Sequence, residues 1–371
     1  MTGISIRGIG LLTAAVALLS AGPADAQEHA YRTVGRKFTA IPLVNFSSDD
    51  GAGYGLRASL FDYDGVSIPY RRATSVQAFF STKGKWTHRF YVDIPSVRPG
   101  QRLEIEALYE KEDFANYCGG LTDDALDALS REQRTFKQNY PKLRLMWVRD
   151  IHLPWRVRAG FQVGRNRVTP NADVGNILSG AAPPGVDGGT HFQVNAALRY
   201  DSRDDYNNSA SGVLEELLVE YGLGDGFNWR KVTYEHRHFL PLREGWTVAH
   251  RFTAGLTFGD VPFYEAFGLG GSNTLRGLSA ARWRGEGQIL LNAELRWRGL
   301  RLSENRNIYL GALLFGDVGQ VFSRADGPSM DDWQAGVGAG LRFHWHSTIV
   351  RADYGLSEGK KGVYVTFSQV F

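Results

Sequence analysis

One glycine-rich stretch and one strand-like stretch hold the charged residues best suited to pair with each other. Between Gly268 and Gly287 the sequence reads GLGGSNTLRGLSAARWRGEG, with Arg276 among the glycines. Asp317 lies in IYLGALLFGDVGQVF, a segment that carries no other charge. A carboxylate facing lipid is costly, so Asp317 should face a polar interior and take a cation as its partner. The planar guanidinium of Arg276 is suited to bidentate pairing with a carboxylate.

The glycines beside Arg276 permit the tight backbone that an inward-folded loop requires. Gly270, Gly271 and Gly277 flank it on both sides, and glycine adopts conformations that other residues avoid. We therefore predict that this loop folds back on itself as an internal lock, in which Arg276 reaches Asp317.

Other charged residues leave alternatives open. Asp353, predicted to face inward, is the rival partner for the loop arginine, and Arg342 and Arg351 could compete for the strand aspartate. The loop lacks the Gly-Lys-Ser/Thr ending of a phosphate-binding P-loop, and no strand–loop–helix unit surrounds it. Arg282 and Arg284 could bind lipopolysaccharide phosphates at an outer rim, or could simply be solvated.

Residues that could bind a metal or catalyse a reaction give weak signals. His344 and His346 are two residues apart, as are His236 and His238, and this spacing alone is weak evidence for a metal site. We interpret them as interfacial or interior histidines and predict no metal and no cofactor. The sequence has no nucleophile-elbow motif. We therefore expect no enzyme, with a barrel-resident lipid-modifying enzyme as the less favoured alternative.

Alternating apolar and polar residues indicate the strands that would position these groups. In QILLNAELRW, Ile289, Leu291 and Leu295 share one face, while Asn292 and Glu294 lie on the other. Successive side chains of a strand point to opposite faces. A soluble periplasmic β-sandwich would also alternate, with the apolar face as its core, whereas a membrane barrel turns that face to lipid. The length and number of the segments favour the barrel.

Sixteen such segments cover nearly the whole chain. They lie near 38–47, 52–63, 72–82, 86–96, 100–110, 139–150, 154–165, 190–201, 212–222, 227–240, 244–260, 286–298, 306–322, 332–345, 347–356 and 362–371. The long connectors follow odd-numbered segments and tight turns follow even-numbered ones, which is typical of long outer loops and short periplasmic turns. We predict an all-β fold: a transmembrane antiparallel β-barrel of about 16 strands, with a long sixth extracellular loop folded into the lumen.

The amino terminus and the composition indicate export. Residues 1–26 contain a short apolar core, GLLTAAVALL, and end in a small-residue cleavage site, so they are predicted to be a signal peptide. Residues 27–37 would be a short periplasmic segment, and 38–371 the barrel. Cys118 is the single cysteine, which excludes an intrachain disulfide. The formal net charge of +3 argues against nucleic acid as a partner.

Several segments together resemble the BamA/TamA-like outer membrane protein 85 superfamily, also known as the bacterial surface antigen family. The loop is similar to the family's sixth-loop motif, and FGDVG is similar to its Phe-x-Asp-x-Gly strand motif. The resemblance assigns the structural lock to Gly270, Gly271, Leu275, Arg276, Gly277, Phe315, Gly316, Asp317 and Gly319. Leu278 stands where the family's loop motif usually has an aromatic residue. The segment YDSRDDYNNSASG resembles the family's Tyr-Asp-x-Arg-Asp segment, which ends in a Pro-x-x-Gly turn, and Ser209 stands at the position of that proline.

This resemblance implies a bacterial outer-membrane location and a role in transport or membrane assembly. Members that assemble barrels or secrete proteins carry periplasmic POTRA modules. About a dozen residues between the predicted cleavage site and the first strand are too few for one. We therefore expect a POTRA-less, barrel-only member that works with a separate periplasmic partner. The alternative is a structural or surface-antigen barrel without a transport role.

The expected partners are outer-membrane lipids, lipopolysaccharide and the barrel-assembly machinery. In the segment GVYVTFSQVF, Val363, Val365, Phe367 and Phe371 are predicted to share one face. A terminal strand that ends in Phe371 resembles the signal that outer-membrane barrels present to that machinery.

Overall fold

The computed structural model describes residues 34–206, 208–303, 308–345 and 348–371. The predicted signal peptide, residues 1–26, lies outside the described residues, as does the predicted periplasmic segment up to residue 33. The first strand begins at Val34, whereas 38 was predicted as the start of the barrel. The backbone ladder continues through Arg36 and Lys37, where the apolar alternation that marked the segment has already ended.

In the described residues, sixteen strands form one closed antiparallel barrel, and two short strands form a separate hairpin. The barrel strands are β1 (Val34–Ser47), β2 (Gly51–Asp64), β3 (Arg72–Ser81), β4 (Lys85–Arg98), β5 (Gln101–Asn116), β6 (Thr135–His152), β7 (Trp155–Pro170), β8 (Gly189–Asp201), β9 (Gly212–Gly224), β10 (Phe227–Arg243), β11 (Trp246–Asp260), β14 (Gly287–Ser303), β15 (Ile308–Phe322), β16 (Gln334–Trp345), β17 (Thr348–Ser357) and β18 (Lys360–Phe367). The hairpin consists of β12 (Phe267–Leu269) and β13 (Trp283–Gly285).

In the residues that the structure describes, helical structure is confined to two of the long connections. Asp123–Asp127 is a short helix capped by Thr122, and Glu132–Arg134 is a 3-10 turn after it. A second short helix, Ile177–Ala181, follows β7. Among the residues that the structure describes, no helix is long and apolar enough to cross a membrane.

The two faces of the barrel wall differ as a membrane barrel requires. Leu217, Leu291 and Leu314 are exposed on the outer face, whereas Asn292 and Asp317 point inward and are buried. An apolar exterior and a polar interior are the arrangement expected in lipid. The predicted closed barrel of sixteen strands is therefore confirmed, and the alternative of a soluble sandwich is wrong.

Three strands extend well beyond their predicted ends on the side of the long connections. β5 reaches Asn116 instead of 110, β6 begins at Thr135 instead of 139, and β7 reaches Pro170 instead of 165. Their ladders continue through charged residues such as Glu112. Outside the apolar band a strand needs paired backbone groups but no apolar face, so the sequence pattern ends before the strand does.

The closing seam, defined as the contact of β1 with β18, is much shorter than the neighbouring ladders. β1 pairs with β2 through all 14 of its residues, and β18 pairs with β17 through all 8 of its residues. Between β1 and β18 the register contains two pairs, Phe46 with Val365 and Ser47 with Tyr364. Ser48, in the turn after β1, adds two hydrogen bonds to Val363 at this seam. With two register pairs, the seam is the shortest ladder of the barrel in the described residues.

Candidate functional site

Arg276 occupies the inside of the barrel, on the loop between β11 and β14. Its side chain is fully buried and faces Asp317 of β15. Nε donates to Oδ2 of Asp317 at 2.8 Å, and Nη2 donates to Oδ1 at 2.8 Å. The backbone N–H of Arg276 donates to Oδ2 as well, at 3.1 Å. This is the bidentate geometry in which arginine binds a carboxylate most strongly.

Arg276 also contacts two further carboxylates through its remaining nitrogen. Nη1 donates to Glu294 Oε1 at 2.7 Å and lies 3.5 Å from Oδ2 of Asp353, the rival partner considered from sequence. Arg342 and Arg351 do not compete for Asp317, because both lie beside Asp353 instead. One arginine thereby joins acids on β14, β15 and β17.

Asn292 and Glu294 complete these contacts, and sequence reasoning did not single them out. Asn292 Nδ2 donates to Asp317 Oδ1 at 2.7 Å, and Glu294 Oε2 accepts from Arg296 Nε at 2.7 Å. Both residues stand on the polar face of β14 as the alternation indicated. Asn292 lies directly across from Asp317 in the β14–β15 register. The sequence alone does not determine that register.

We refer to Arg276, Asn292, Glu294, Asp317 and Asp353 as the Arg276 network. All five are buried. Ion pairs withdrawn from water keep a desolvation cost that their mutual attraction must offset, so removing one partner leaves an uncompensated charge. The network is therefore stable only while every charge keeps its partner, and removing any one of the side chains should lower the stability of the fold.

Aromatic and aliphatic side chains close the network against water. The guanidinium carbon of Arg276 lies 3.4 Å from the ring centroid of Phe315, within the range of a cation–π contact. Leu275 is fully buried and packs in one cluster with Leu269, Leu278 and Leu290. Leu278, at the position where the family usually has an aromatic residue, is therefore part of the apolar packing.

The loop backbone lies directly against the barrel wall at glycine positions. Gly277 has φ +112°, and a Cβ there would lie 2.8 Å from the backbone nitrogen of Ser357. A Cβ on Gly355 or Gly336 of the wall would lie 2.8 Å and 2.6 Å from backbone atoms of Arg276. Such distances exclude side chains on both surfaces.

The other predicted glycines divide into two groups. Gly270 and Gly271 have φ of +114° and +91°, which only glycine adopts readily. A Cβ on Gly319 would lie 2.9 Å from the carbonyl oxygen of Ile289, so this position is also constrained. Gly316 faces outward and a Cβ there would meet no atom within 4 Å, so it takes no part in the contacts of the loop.

Tyr364 ties the loop to the last strand. Its hydroxyl accepts a hydrogen bond from the backbone N–H of Gly277 at 3.2 Å and donates to the carbonyl of Leu278 at 3.1 Å. Tyr364 is one of the two β18 residues that pair with β1. The loop therefore contacts the closing seam as well as β14, β15 and β17.

Arg282 and Arg284 do not extend from a rim toward lipid phosphates, and they are not freely solvated. Arg282 is buried, and its Nη2 donates to the carbonyl of Leu121 at 2.7 Å and to Oδ1 of Asp123 at 2.9 Å. Arg284 Nη1 donates to the carbonyl of Phe263 at 3.2 Å. Both alternatives are wrong because the neighbouring loops supply partners for these arginines.

The sequence predicted that Phe371 shares one face with Val363, Val365 and Phe367, and this prediction is wrong. β18 ends at Phe367, and Ser368 then adopts φ +67°, which redirects the chain. Phe371 is buried in a cluster with Phe239 and Ala249 on the inner face. Two cations, Arg251 and Arg296, lie 5.3 Å and 5.0 Å from its ring, within the range of cation–π contacts.

The histidines fall in three places. His344 is buried and points inward from β16. His346 lies outside the described residues. His236 and His238 lie on the outer face of β10, beside His250 of β11. Their arrangement is considered separately below.

A closed sixteen-strand barrel with an apolar exterior and an arginine-bearing loop inside defines a bacterial outer-membrane β-barrel. The sequence matches the Omp85 superfamily domain over residues 74–369, and the chain belongs to this superfamily.

Solved structures share the same fold at low sequence identity. BamA from Haemophilus ducreyi lacking POTRA domains 1–3 is 13% identical, with 90% of this chain and 70% of that chain covered and a TM-score of 0.63. CdiB from Escherichia coli is 12% identical, with coverage of 88% and 62% and a TM-score of 0.60. CdiB from Acinetobacter baumannii is also 12% identical, with coverage of 92% and 66% and a TM-score of 0.55. The chain thus spans between 62% and 70% of the length of these structures.

Proposed function

We propose that this barrel acts in protein transport or membrane-protein assembly at the outer membrane, and that it does so by opening at the β1–β18 seam. The observation that carries the proposal is the short register of that seam, two residue pairs against 14 between β1 and β2. In lipid, each backbone group without a hydrogen-bond partner costs several kcal/mol. A seam with few pairs is both the easiest place to open and the most favourable place for another strand to bind.

The edge of β1 has the properties of an acceptor for an incoming strand. In the described register, residues 34–45 pair with β2 and have no partner in β18. An exposed strand edge is a template for pairing with a further chain. The outward side chains Phe38 and Val44 are 69% and 57% exposed, so an apolar client segment in the bilayer would find an apolar surface beside the edge.

The Arg276 network supports opening at one side only. It fixes the loop to β14, β15 and β17, and Tyr364 extends that attachment to β18. On the other side of the seam, β1 is attached mainly through β2. Opening would therefore move the β1 side of the barrel against a wall that stays packed.

A separate periplasmic protein would deliver the client. We assign client capture to that partner. Phe371 is buried in the folded barrel, and so we propose that the assembly machinery recognises it before this protein itself has folded. We propose further that residues 1–26 are an export signal, removed before Gln27; intact-mass measurement of protein from outer membranes checks this.

A disulfide across the seam tests the function. Cysteines replacing Phe46 and Val365, which are register partners, are introduced in a Cys118→Ser background and oxidised. The matched control places cysteines at Leu198 and Leu217, an exposed register pair between β8 and β9. The wild-type protein and both variants are each expressed in a strain that lacks the chromosomal gene.

The readout is quantitative proteomics of outer membranes and culture medium, with and without a reductant. We expect the oxidised seam variant to resemble the deletion strain and to recover on reduction, while the control pair resembles wild type throughout. If the oxidised seam variant behaves like wild type, opening at the seam is wrong. If the deletion itself changes no protein level, the barrel has a structural or surface role instead.

A further inference from the structure

Three histidines meet on the outer wall of the barrel, away from the Arg276 network. His236 and His238 stand two residues apart on β10, and His250 on β11 lies directly across from His238. One ring nitrogen from each lies within 4.8 Å of the others. Their neighbours on the same face, Tyr234 and Leu240, are exposed, so the three rings face outward from the wall.

The nitrogen geometry matches a shared metal ion. His236 Nε2 and His250 Nε2 are 3.2 Å apart. A tetrahedral zinc ion with Zn–N bonds of about 2.0 to 2.1 Å separates its ligand nitrogens by about 3.3 Å. A hydrogen bond between these two rings would also fit that distance, but it would leave His238 without a role in the group.

Glu215 of β9 sets the tautomer that a metal ligand needs. Its Oε1 lies 2.7 Å from Nδ1 of His236, and its Oε2 accepts a hydrogen bond from the hydroxyl of Tyr234. A carboxylate at Nδ1 holds the proton there, so the lone pair is on Nε2, the atom that faces His250. A carboxylate on the far side of a ligating histidine is the usual support of such sites.

The position along the wall allows an ion to enter from water. Glu215 lies across from Tyr200 in the β8–β9 register, and the rings of Tyr200 and Trp155 are in contact at 5.2 Å. Trp155 is the first residue of β7 after a short turn. Short turns are on the periplasmic side, and aromatic girdles mark the membrane boundary. The histidines thus lie in the half of the wall that ends in the short turns, with His250 four residues from Trp246, the first residue of β11.

We propose that His236, His238 and His250 form a binding site for a divalent transition-metal ion, Zn²⁺ in the first place, with Glu215 as the positioning residue. Imidazole nitrogens suit zinc, copper and nickel, whereas calcium and magnesium prefer oxygen ligands. Three protein ligands leave a fourth tetrahedral position open toward the interface. The ion would join β10 to β11 through its ligands and to β9 through Glu215.

Metal titration of the folded barrel tests the site. Protein without a histidine tag, purified in detergent micelles, is titrated with ZnCl₂ by calorimetry and with Co²⁺ by visible absorption. We expect one ion per chain and a tetrahedral Co²⁺ spectrum. His236→Ala and His250→Ala should abolish saturable binding, and Glu215→Gln should weaken it about 10- to 100-fold. His152→Ala, at the exposed last residue of β6, should bind as wild type does.

Each variant is first checked for the gel mobility of the unheated, folded barrel, so that loss of binding is not loss of fold. The proposal is overturned if the folded wild type shows no saturable binding. It is also overturned if a folded His236→Ala/His250→Ala variant binds zinc like wild type, or if the bound Co²⁺ has an octahedral spectrum.

Discussion

Two regions of the barrel interior use the same side chains in different surroundings. The Arg276 network lies beneath the sixth loop, against β14, β15 and β17. Across the barrel, a polar belt consisting of Arg89, Glu106, Arg144, Gln162 and Gln193 runs over β4 to β8. In both regions arginines bind carboxylates through side chains that face the lumen. The network is covered by the sixth loop.

The cover changes the exposure of the charges. Arg276 and Asp317 have side-chain exposures of 0%, whereas Arg89 and Arg144 retain 34% and 44%. A pair in contact with water contributes about 0 to 1 kcal/mol, while deleting one partner of a buried pair costs about 3 to 5 kcal/mol. The same chemistry should thus be dispensable in the belt and essential in the network.

Deleting one arginine from each region gives the largest expected difference. Arg276→Ala should destabilise the barrel by about 3 to 5 kcal/mol, because buried carboxylates lose their shared cation. Arg144→Ala should cost about 0 to 1 kcal/mol, because Glu106 keeps Arg89 as its partner and the Arg144 side chain is partly exposed to water. Urea unfolding in micelles, followed by the mobility of unheated protein on gels, measures both. Equal decreases in the free energy of unfolding would mean that the loop does not exclude water from the network.

Double-mutant cycles provide the control for that comparison. If Arg276 and Asp317 act as a pair, the double alanine variant should be little worse than either single variant. For Arg89 and Glu106, in contact with water, the two effects should be small and nearly additive. Additive effects at Arg276 and Asp317 would show that each acts independently, in spite of the bidentate contact.

The sequence predicts the wall better than it predicts the network. Alternation locates every barrel strand, because one face of each must be apolar in lipid. The pairing of Arg276 with Asp317 follows from one buried acid and one arginine among glycines. Glu294 and Asn292 are missed as partners, because their contact depends on register and on the depth to which the loop enters. Phe371 is misplaced, because a single positive φ at Ser368 redirects the chain.

Glycine substitutions test whether the loop needs close backbone contact, with a smaller expected effect. Gly277→Ala combines a positive φ with a Cβ 2.8 Å from Ser357 N, so it should cost about 2 kcal/mol or more. Gly316→Ala faces open space on the outside and should change stability by about 0.5 kcal/mol or less. The same unfolding assay measures both. A neutral Gly277→Ala would indicate that the loop can shift without loss.

The smallest expected effect concerns Cys118, which reports on the loops above the Arg276 network. Arg282 of the sixth loop donates to the carbonyl of Leu121, three residues beyond the thiol. Cys118 is buried, and burial raises the pKa of its thiol although Arg282 and Arg284 oppose that shift. The thiolate is the reactive form, so labelling of folded wild type at pH 8 should be slow and should accelerate as the pH rises.

If Arg276 holds the loop down, its loss should expose Cys118 without unfolding the barrel. Arg276→Ala should then be labelled by a thiol reagent on the order of ten-fold faster at pH 8, because an exposed thiol regains its ordinary pKa. Arg144→Ala should be labelled at the wild-type rate, because the belt touches neither loop in the described contacts. The labelling is followed by mass spectrometry on barrels that keep their folded gel mobility. Equal labelling rates in all three proteins would show that Arg276 does not hold the loop over Cys118, and that the network stabilises the barrel wall alone.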